Sequence, residues 1–152
     1  KSKDFSLKNI EFSSKKPLIL VLEGIEKPGN IGAMLRTADA ANIDAVFIAD
    51  AKSDMYNPNI IRSSIGCVFT NQIGVGSSEE IIAYLQQNTI NIYSATLQNS
   101  NEYHNEIYTN ASAIVALANI FLIVEIVDNS VPGLINMLVL ISEKFFRMSN
   151  VF

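Results

Sequence analysis

The sequence predicts an α/β protein with a mostly parallel sheet flanked by helices, and three observations carry that prediction. Leu18-Ile19-Leu20-Val21-Leu22 is an unbroken apolar run, the pattern of a parallel strand covered on both faces. A turn containing Gly and Pro follows it and leads into a helical segment that Asn30 is placed to cap. Ala45-Val46-Phe47-Ile48-Ala49 is a second short buried strand, so the first fifty residues read strand, helix, strand, the unit of a right-handed crossover.

The alternation continues along the chain. Asn57-Pro58 sets a capping residue before a first-turn proline, and Gly66 offers a stop, which predicts a short helix over residues 58–65 with extended structure resuming over 67–73. Ser77-Ser78-Glu79-Glu80 is a capping box for a helix reaching about Gln87, and Ile90-Asn91-Ile92-Tyr93-Ser94-Ala95 reads as another strand. From Ala111 the texture changes: residues 114–127 are almost wholly apolar, broken by Asn119 and Glu125, and hold either two buried strands or a hidden helix. That stretch falls short of a membrane span. Residues 134–147 are apolar on most sides and finish on Lys144 and Arg147, cations suited to a helix C-terminus that packs on the sheet or on a partner. There is no internal repeat and no low-complexity segment.

Composition limits the function classes. A chain of 152 residues with 49% apolar content can bury the core of one domain without metals or cross-links. Cys67 is alone, which excludes an internal disulfide and a zinc cluster built on cysteines, and residues 1–4 lack the apolar stretch of a secretory signal. A reducing, cytoplasmic setting is the expectation. A formal charge of -4 argues against a protein that grips nucleic acid with its whole surface. Yet five of the eight lysines (Lys1, Lys3, Lys8, Lys15 and Lys16) fall in the first sixteen residues, and no cation stands between Arg62 and Lys144. A polyanion is therefore expected to meet the N-terminal part, near Arg36 and Arg62, although the same lysines fit a solvated linker equally well. Residues 1–16, closing on Ser13-Ser14-Lys15-Lys16-Pro17, read as a linker or the remnant of a substrate-recognition domain, with the main domain over 17–152.

Gly24, Gly29 and Gly32 give the first turn the backbone freedom that an anion-facing strand-to-helix turn needs. The segment matches neither the phosphate loop, for want of Lys followed by Ser or Thr, nor the spaced dinucleotide fingerprint. On a helix opening at Asn30, Arg36 lies about 240° around the axis, so the two do not share a face. Locally they are a cap and a surface arginine, with Arg36 long enough to extend back beneath the strand ends.

Residues 22–40, Leu-Glu-Gly-Ile-Glu-Lys-Pro-Gly-Asn-Ile-Gly-Ala-Met-Leu-Arg-Thr-Ala-Asp-Ala, are similar to the first signature of the TrmH-type (SpoU-like) SPOUT family of RNA ribose methyltransferases. The similarity extends through Ala45-Val46-Phe47-Ile48, through Tyr56-Asn57-Pro58-Asn59-Ile60-Ile61-Arg62-Ser63-Ser64-Ile65-Gly66 and to Ser94-Ala95-Thr96, covering roughly residues 17–115. The resemblance implies a C-terminal trefoil knot that binds S-adenosylmethionine, a homodimer with a shared site, and methylation of a ribose 2′-hydroxyl of rRNA or tRNA. By position, Arg36 resembles the family's catalytic arginine, with Asn30 and Asn136 in support. Thr96, Val131, Pro132 and Ile135 fall around the cofactor, and Arg62 and Ser64, joined by Lys15 and Lys16, on the RNA side. No metal is implied.

The chemistry is an in-line attack by a weakly acidic hydroxyl on a sulfonium methyl. A guanidinium stays protonated, so Arg36 would stabilise the developing alkoxide or fix the adjacent phosphate rather than accept the proton. The acceptor is unassigned: the lone His104 sits in the polar residues 99–105 and reads as an exposed loop residue, and Tyr103 and Tyr108 read as loop packing.

The departure from the family lies in the last third. After the strand matching Ser112-Ala113-Ile114-Val115, a Gly-Asn-Glu-Gly type loop is replaced by Ala116-Leu117-Ala118-Asn119. Val131-Pro132-Gly133 resembles the family's Ile-Pro-Met strand end and Leu134-Ile135-Asn136 its Ser-Leu-Asn, with the serine replaced and the intervening residues missing. Three explanations stand: a degenerate paralogue, an unusual active variant, or a sequence that omits residues around the knot. The last accounts best for two gaps that both fall at cofactor loops while the first signature is intact. The rival function is a non-catalytic RNA-binding or dimerisation module that keeps the fold without the cofactor loop.

Overall fold

In the computed structural model, which describes residues 3–95, 110–117 and 148–150, the first apolar run becomes β1 (Leu18–Glu23) and lies in the middle of the sheet. Its parallel neighbours are β2 (Ala45–Ala49) on one side and β5 (Ser112–Leu117) on the other, with Ile19 opposite both Ala45 and Ala113. β3 (Ile73–Gly76) adds to β2 and β4 (Asn91–Ala95) adds to β5, both in parallel. The three residues of β6 (Met148–Asn150) run antiparallel to β4, giving the order β3-β2-β1-β5-β4-β6. The carboxyl ends of the five parallel strands thus share one edge.

The period-two alternation of each strand divides the core. Leu20, Leu22, Val46 and Ile48 face α1 (Pro28–Ala40), α2 (Pro58–Ser63) and α3 (Cys67–Thr70), whose Ile31, Leu35, Ile60 and Val68 are fully buried. Ile19, Val21, Phe47 and Ala49 face Ile81 and Leu85 of α4 (Ser78–Gln87). The chain therefore steps outward from β1 to β3 with its helices on one face, then crosses by α4 on the opposite face to β4 and returns to β5. The direction of winding reverses between β1 and β5, the switch point at which open parallel sheets leave a crevice at their carboxyl edge.

Local chemistry fixes the helix ends. Ser77 Oγ accepts from the Glu80 N–H at 3.2 Å while Glu80 Oε2 accepts from the Ser77 N–H at 2.9 Å, so the capping box forms as its sequence predicts. Asn57 caps α2 through the Asn59 N–H at 2.9 Å. Three expectations change. α1 begins at Pro28, not at Asn30: Lys27 is its capping position and makes no side-chain cap bond. The fixed φ and missing N–H of Pro28 suit the first helical position, which leaves Asn30 inside the first turn. The second helix ends at Ser63, because Ile65 and Gly66 both turn left-handed at φ 53° and 90°. Beyond that turn, residues 67–70 form the helix α3 instead of extended chain, closed by Asn71, whose Nδ2 donates to the carbonyls of Cys67 at 2.8 Å and of Leu35 at 3.1 Å.

The described part of the N-terminal segment lies against the domain. Val75 N–H donates to Phe5 O at 2.8 Å beside a parallel bridge between Ser6 and Val75, and Phe5, Leu7, Ile10 and Phe12 pack on the two halves of the core. These apolar residues are interleaved with the charges that gave the segment its polar reading. Within 114–127, residues up to Leu117 belong to β5; the rest of that stretch, residues 134–147 and the knot lie outside the described residues. No helix among the described residues is long and apolar enough to cross a membrane.

Phe47 is fully buried and meets Tyr84 edge-on with ring centroids 5.4 Å apart, linking β2 to α4. Phe47→Ala is expected to cost about 3–5 kcal/mol, read as a lower urea midpoint at unchanged slope.

Candidate functional site

Gly24 ends β1 in the left-handed conformation, φ 61°, and its N–H donates to Ala49 O at 3.1 Å, so the chain leaves the sheet sharply and reaches α1 within a few residues. The other two glycines act differently from the turn role expected of them. A Cβ at Gly29 would meet nothing within 4 Å, whereas one at Gly32 would stand 2.0 Å from Ser63 Oγ and 2.7 Å from the Ser64 nitrogen. Gly32 is buried at the crossing of α1 and α2, where only a residue without a side chain lets the two backbones approach.

That approach sets Arg36. One turn beyond Gly32 on α1, its Nη1 donates to Ser63 O, a carbonyl in the last turn of α2 that the helix itself leaves without an N–H partner. A cation at this helix end is also favoured by the helix dipole. Arg36 does not extend beneath the strand ends, because α2 lies within reach first; it stays exposed and uses one of its guanidinium donors in that bond. Arg62, exposed on α2, donates from Nη2 to Asn59 Oδ1 at 2.6 Å. Two guanidinium groups are therefore carried on one helix pair.

Asn30 is half-buried in the first turn of α1. Ser64 departs from the RNA-facing placement expected of it: it is 0% exposed and its Oγ donates to Ile61 O at 3.1 Å, so the hydroxyl is spent on the backbone of α2. Lys15 and Lys16 are exposed just before β1, at the amino edge of the sheet, opposite the edge where the Gly24 turn lies. Thr96, Val131, Pro132, Ile135 and Asn136 lie outside the described residues. The sequence pattern singles out neither Ser63 nor Asn71. Ser63 supplies the carbonyl for Arg36, and Asn71, 7% exposed, ties α3 to α1 through Leu35 O. The small pair Ser63-Ser64 opposite Gly32 is the only sequence signal for that crossing. Burial also lowers the Lys3 ammonium below the ordinary lysine range, while its Nζ donates to the carbonyls of Phe69 and Asn71. It raises the Tyr84 phenol.

At the carboxyl edge, on the α4 face, a cavity of ≈ 180 Å³ is lined mainly by apolar residues such as Val21, Ile81, Leu85 and Val115, with Glu23, Ser78 and Ser94 as polar groups. It is smaller than the roughly 300–1,000 Å³ of ordinary ligand pockets. Among the described residues, no group of three or more His, Cys, Asp or Glu could hold a metal ion.

The model of the SpoU rRNA Methylase family matches residues 17–118. The chain belongs to that family. A SpoU relative, the 23S rRNA (guanosine(2553)-2′-O)-methyltransferase RlmP of Bacillus subtilis (strain 168), is 33% identical over 85 residues, 56% of this chain and 34% of that protein. The 23S rRNA (guanosine-2′-O-)-methyltransferase RlmB of Haemophilus ducreyi is 44% identical over 50 residues, 33% of this chain and 20% of that protein. The chain thus spans about a third or less of the length of these two relatives. Among solved structures, an RNA 2′-O ribose methyltransferase superposes with a TM-score of 0.61 at 35% identity over 73% of this chain and 43% of that one. The SpoU methyltransferase AviRb of Streptomyces viridochromogenes, solved in complex with AdoMet, has the same fold, with a TM-score of 0.65 at 21% identity over 76% of this chain and 45% of that one.

Gly32→Ala is expected to lower stability by about 1–3 kcal/mol through overpacking. Adding Ser63→Gly should restore only part of the loss in denaturant titrations, because the Ser64 nitrogen stays within 2.7 Å of the new Cβ.

Proposed function

We propose that this SpoU domain transfers a methyl group from S-adenosylmethionine to a ribose 2′-hydroxyl of rRNA or tRNA, with Arg36 at the chemistry. The observation that carries the reading is the anchoring of Arg36: the arginine of the family signature is fixed at one nitrogen by Ser63 O and is otherwise exposed. One of about five guanidinium donors is used, so the others are free to bind a phosphate beside the target ribose and to stabilise the alkoxide as the 2′-oxygen attacks. Pre-fixing the side chain lowers the entropy lost when the oxygen is brought into line. S-adenosylmethionine supplies the electrophilic methyl.

The cofactor is assigned to the carboxyl ends of β4 and β5, with Thr96 directly after β4 and Val131, Pro132 and Ile135 in the sequence after β5. Asn30 and Asn136 support Arg36, and Arg62, Lys15 and Lys16 contact RNA. Ser64 enters this reading only through the backbone of α2. The trefoil knot, a homodimer with a shared site, a cytoplasmic setting and the division into residues 1–16 and 17–152 belong to the same proposal.

One observation favours the non-catalytic alternative. Ala116 and Leu117, which stand where a Gly-Asn-Glu-Gly loop is expected, continue β5 and pair with Leu22 and Glu23. Strand thus occupies the start of the cofactor loop.

Titration calorimetry with S-adenosylmethionine, run beside methyl transfer to total RNA, separates the readings. The proposal expects cofactor binding by both wild type and Arg36→Ala, with transfer lowered about 10²–10³-fold in the variant. Cofactor binding without any Arg36-dependent transfer defeats the catalytic assignment. Undetectable cofactor binding together with salt-sensitive RNA binding selects the non-catalytic module.

A further inference from the structure

The turn between α2 and α3 holds a side chain that neither the fold nor the chemistry described above uses. Ile65 adopts φ 53° and is 79% exposed. A β-branched residue in the left-handed region is an outlier, because its Cβ crowds the backbone where glycine or asparagine would sit at ease. Exposure removes any compensation from the core. Ile65 N–H donates to Arg62 O at 3.3 Å, so the side chain stands one turn from Arg62 and two residues from the carbonyl that anchors Arg36. Across the same turn, Phe69 is 51% exposed with its ring 6.5 Å from that of Tyr56. An apolar prong is thus held out from the turn that follows Arg62, two residues beyond the carbonyl that anchors Arg36.

That combination selects among partners. A second copy of this chain or an apolar peptide would match the prong and leave the two cations unused. RNA offers phosphates to both arginines and the faces of unstacked bases to the prong, and aliphatic side chains are known to wedge between bases in nucleic-acid complexes.

We infer that Ile65 is a specificity-determining wedge that packs against an unstacked base beside the methylated ribose, so that the enzyme prefers unpaired RNA over continuous duplex. This rests on the RNA methyltransferase reading and adds to it the state of the substrate. Arg62 takes a flanking phosphate and contributes equally to both kinds of RNA.

The test compares wild type, Ile65→Gly, Ile65→Leu and Arg62→Ala for binding to a short single-stranded RNA and to a blunt RNA duplex, with methyl transfer to total RNA measured alongside. Ile65→Gly relieves the backbone strain and should unfold at the same or higher denaturant concentration. It should bind the single strand about tenfold more weakly and the duplex as wild type does. Ile65→Leu should keep the single-strand preference, and Arg62→Ala should weaken both RNAs and flatten the salt dependence. Equal single-strand binding by wild type and Ile65→Gly overturns the inference while leaving the enzyme reading intact. A dimer that falls apart in Ile65→Gly with unchanged RNA binding per protomer overturns it in favour of an interface between copies. Failure of the wild type both to bind RNA and to transfer methyl removes the reading on which the inference rests.

Discussion

The crossing of α1 over α2 at Gly32 is the constraint from which the candidate site follows. Any side chain at that position would overlap Ser63 Oγ and press on the Ser64 nitrogen, so the helices would separate and the Ser63 carbonyl would move away from Arg36. With glycine there, the last turn of α2 brings the Ser63 carbonyl within reach, and it accepts a bond from the Arg36 guanidinium. Asn71 extends the same frame, tying α3 to Leu35 O on α1. Three helices on one face are thereby tied together beside the exposed Arg36.

The sheet supplies the second half of the arrangement. Because β1 is central and the winding reverses between β1 and β5, the carboxyl ends of β1, β5 and β4 converge at one edge. Helices α1 to α3 lie on one face and α4 on the other, which separates the arginine-bearing helix pair from the small apolar cavity beside Glu23 and Ser94. The proposed reaction needs both a place for the methyl donor and a grip on RNA, and in that proposal they fall to different elements.

Much of this was legible in the sequence. Continuous apolar runs specified β1 and β2, and a reciprocal Ser77–Glu80 pair specified the start of α4, because in each case local chemistry and tertiary packing agree. The start of α1 is masked in the sequence because Asn30 is a strong capping residue, while Pro28, two residues earlier, satisfies the backbone without one. The helix α3 was hidden by Cys67, Val68, Phe69 and Thr70, residues of strand preference whose conformation is set by the left-handed turn before them and by Asn71 after them. The role of Gly32 and the burial of Ser64 could not be read locally at all, since both depend on which helix crosses which. The family signature located Arg36 without revealing what holds it.

At the centre of the proposed reaction stand a ribose oxygen as nucleophile and Arg36 as the group that prepares it. The most direct measurement is nucleoside analysis of total RNA incubated with the protein and S-adenosylmethionine carrying a labelled methyl group. Label is expected in 2′-O-methylated nucleosides and is lost when Arg36 is replaced by alanine. Label in base-methylated nucleosides, or 2′-O-methylation that persists undiminished without Arg36, would contradict the proposal.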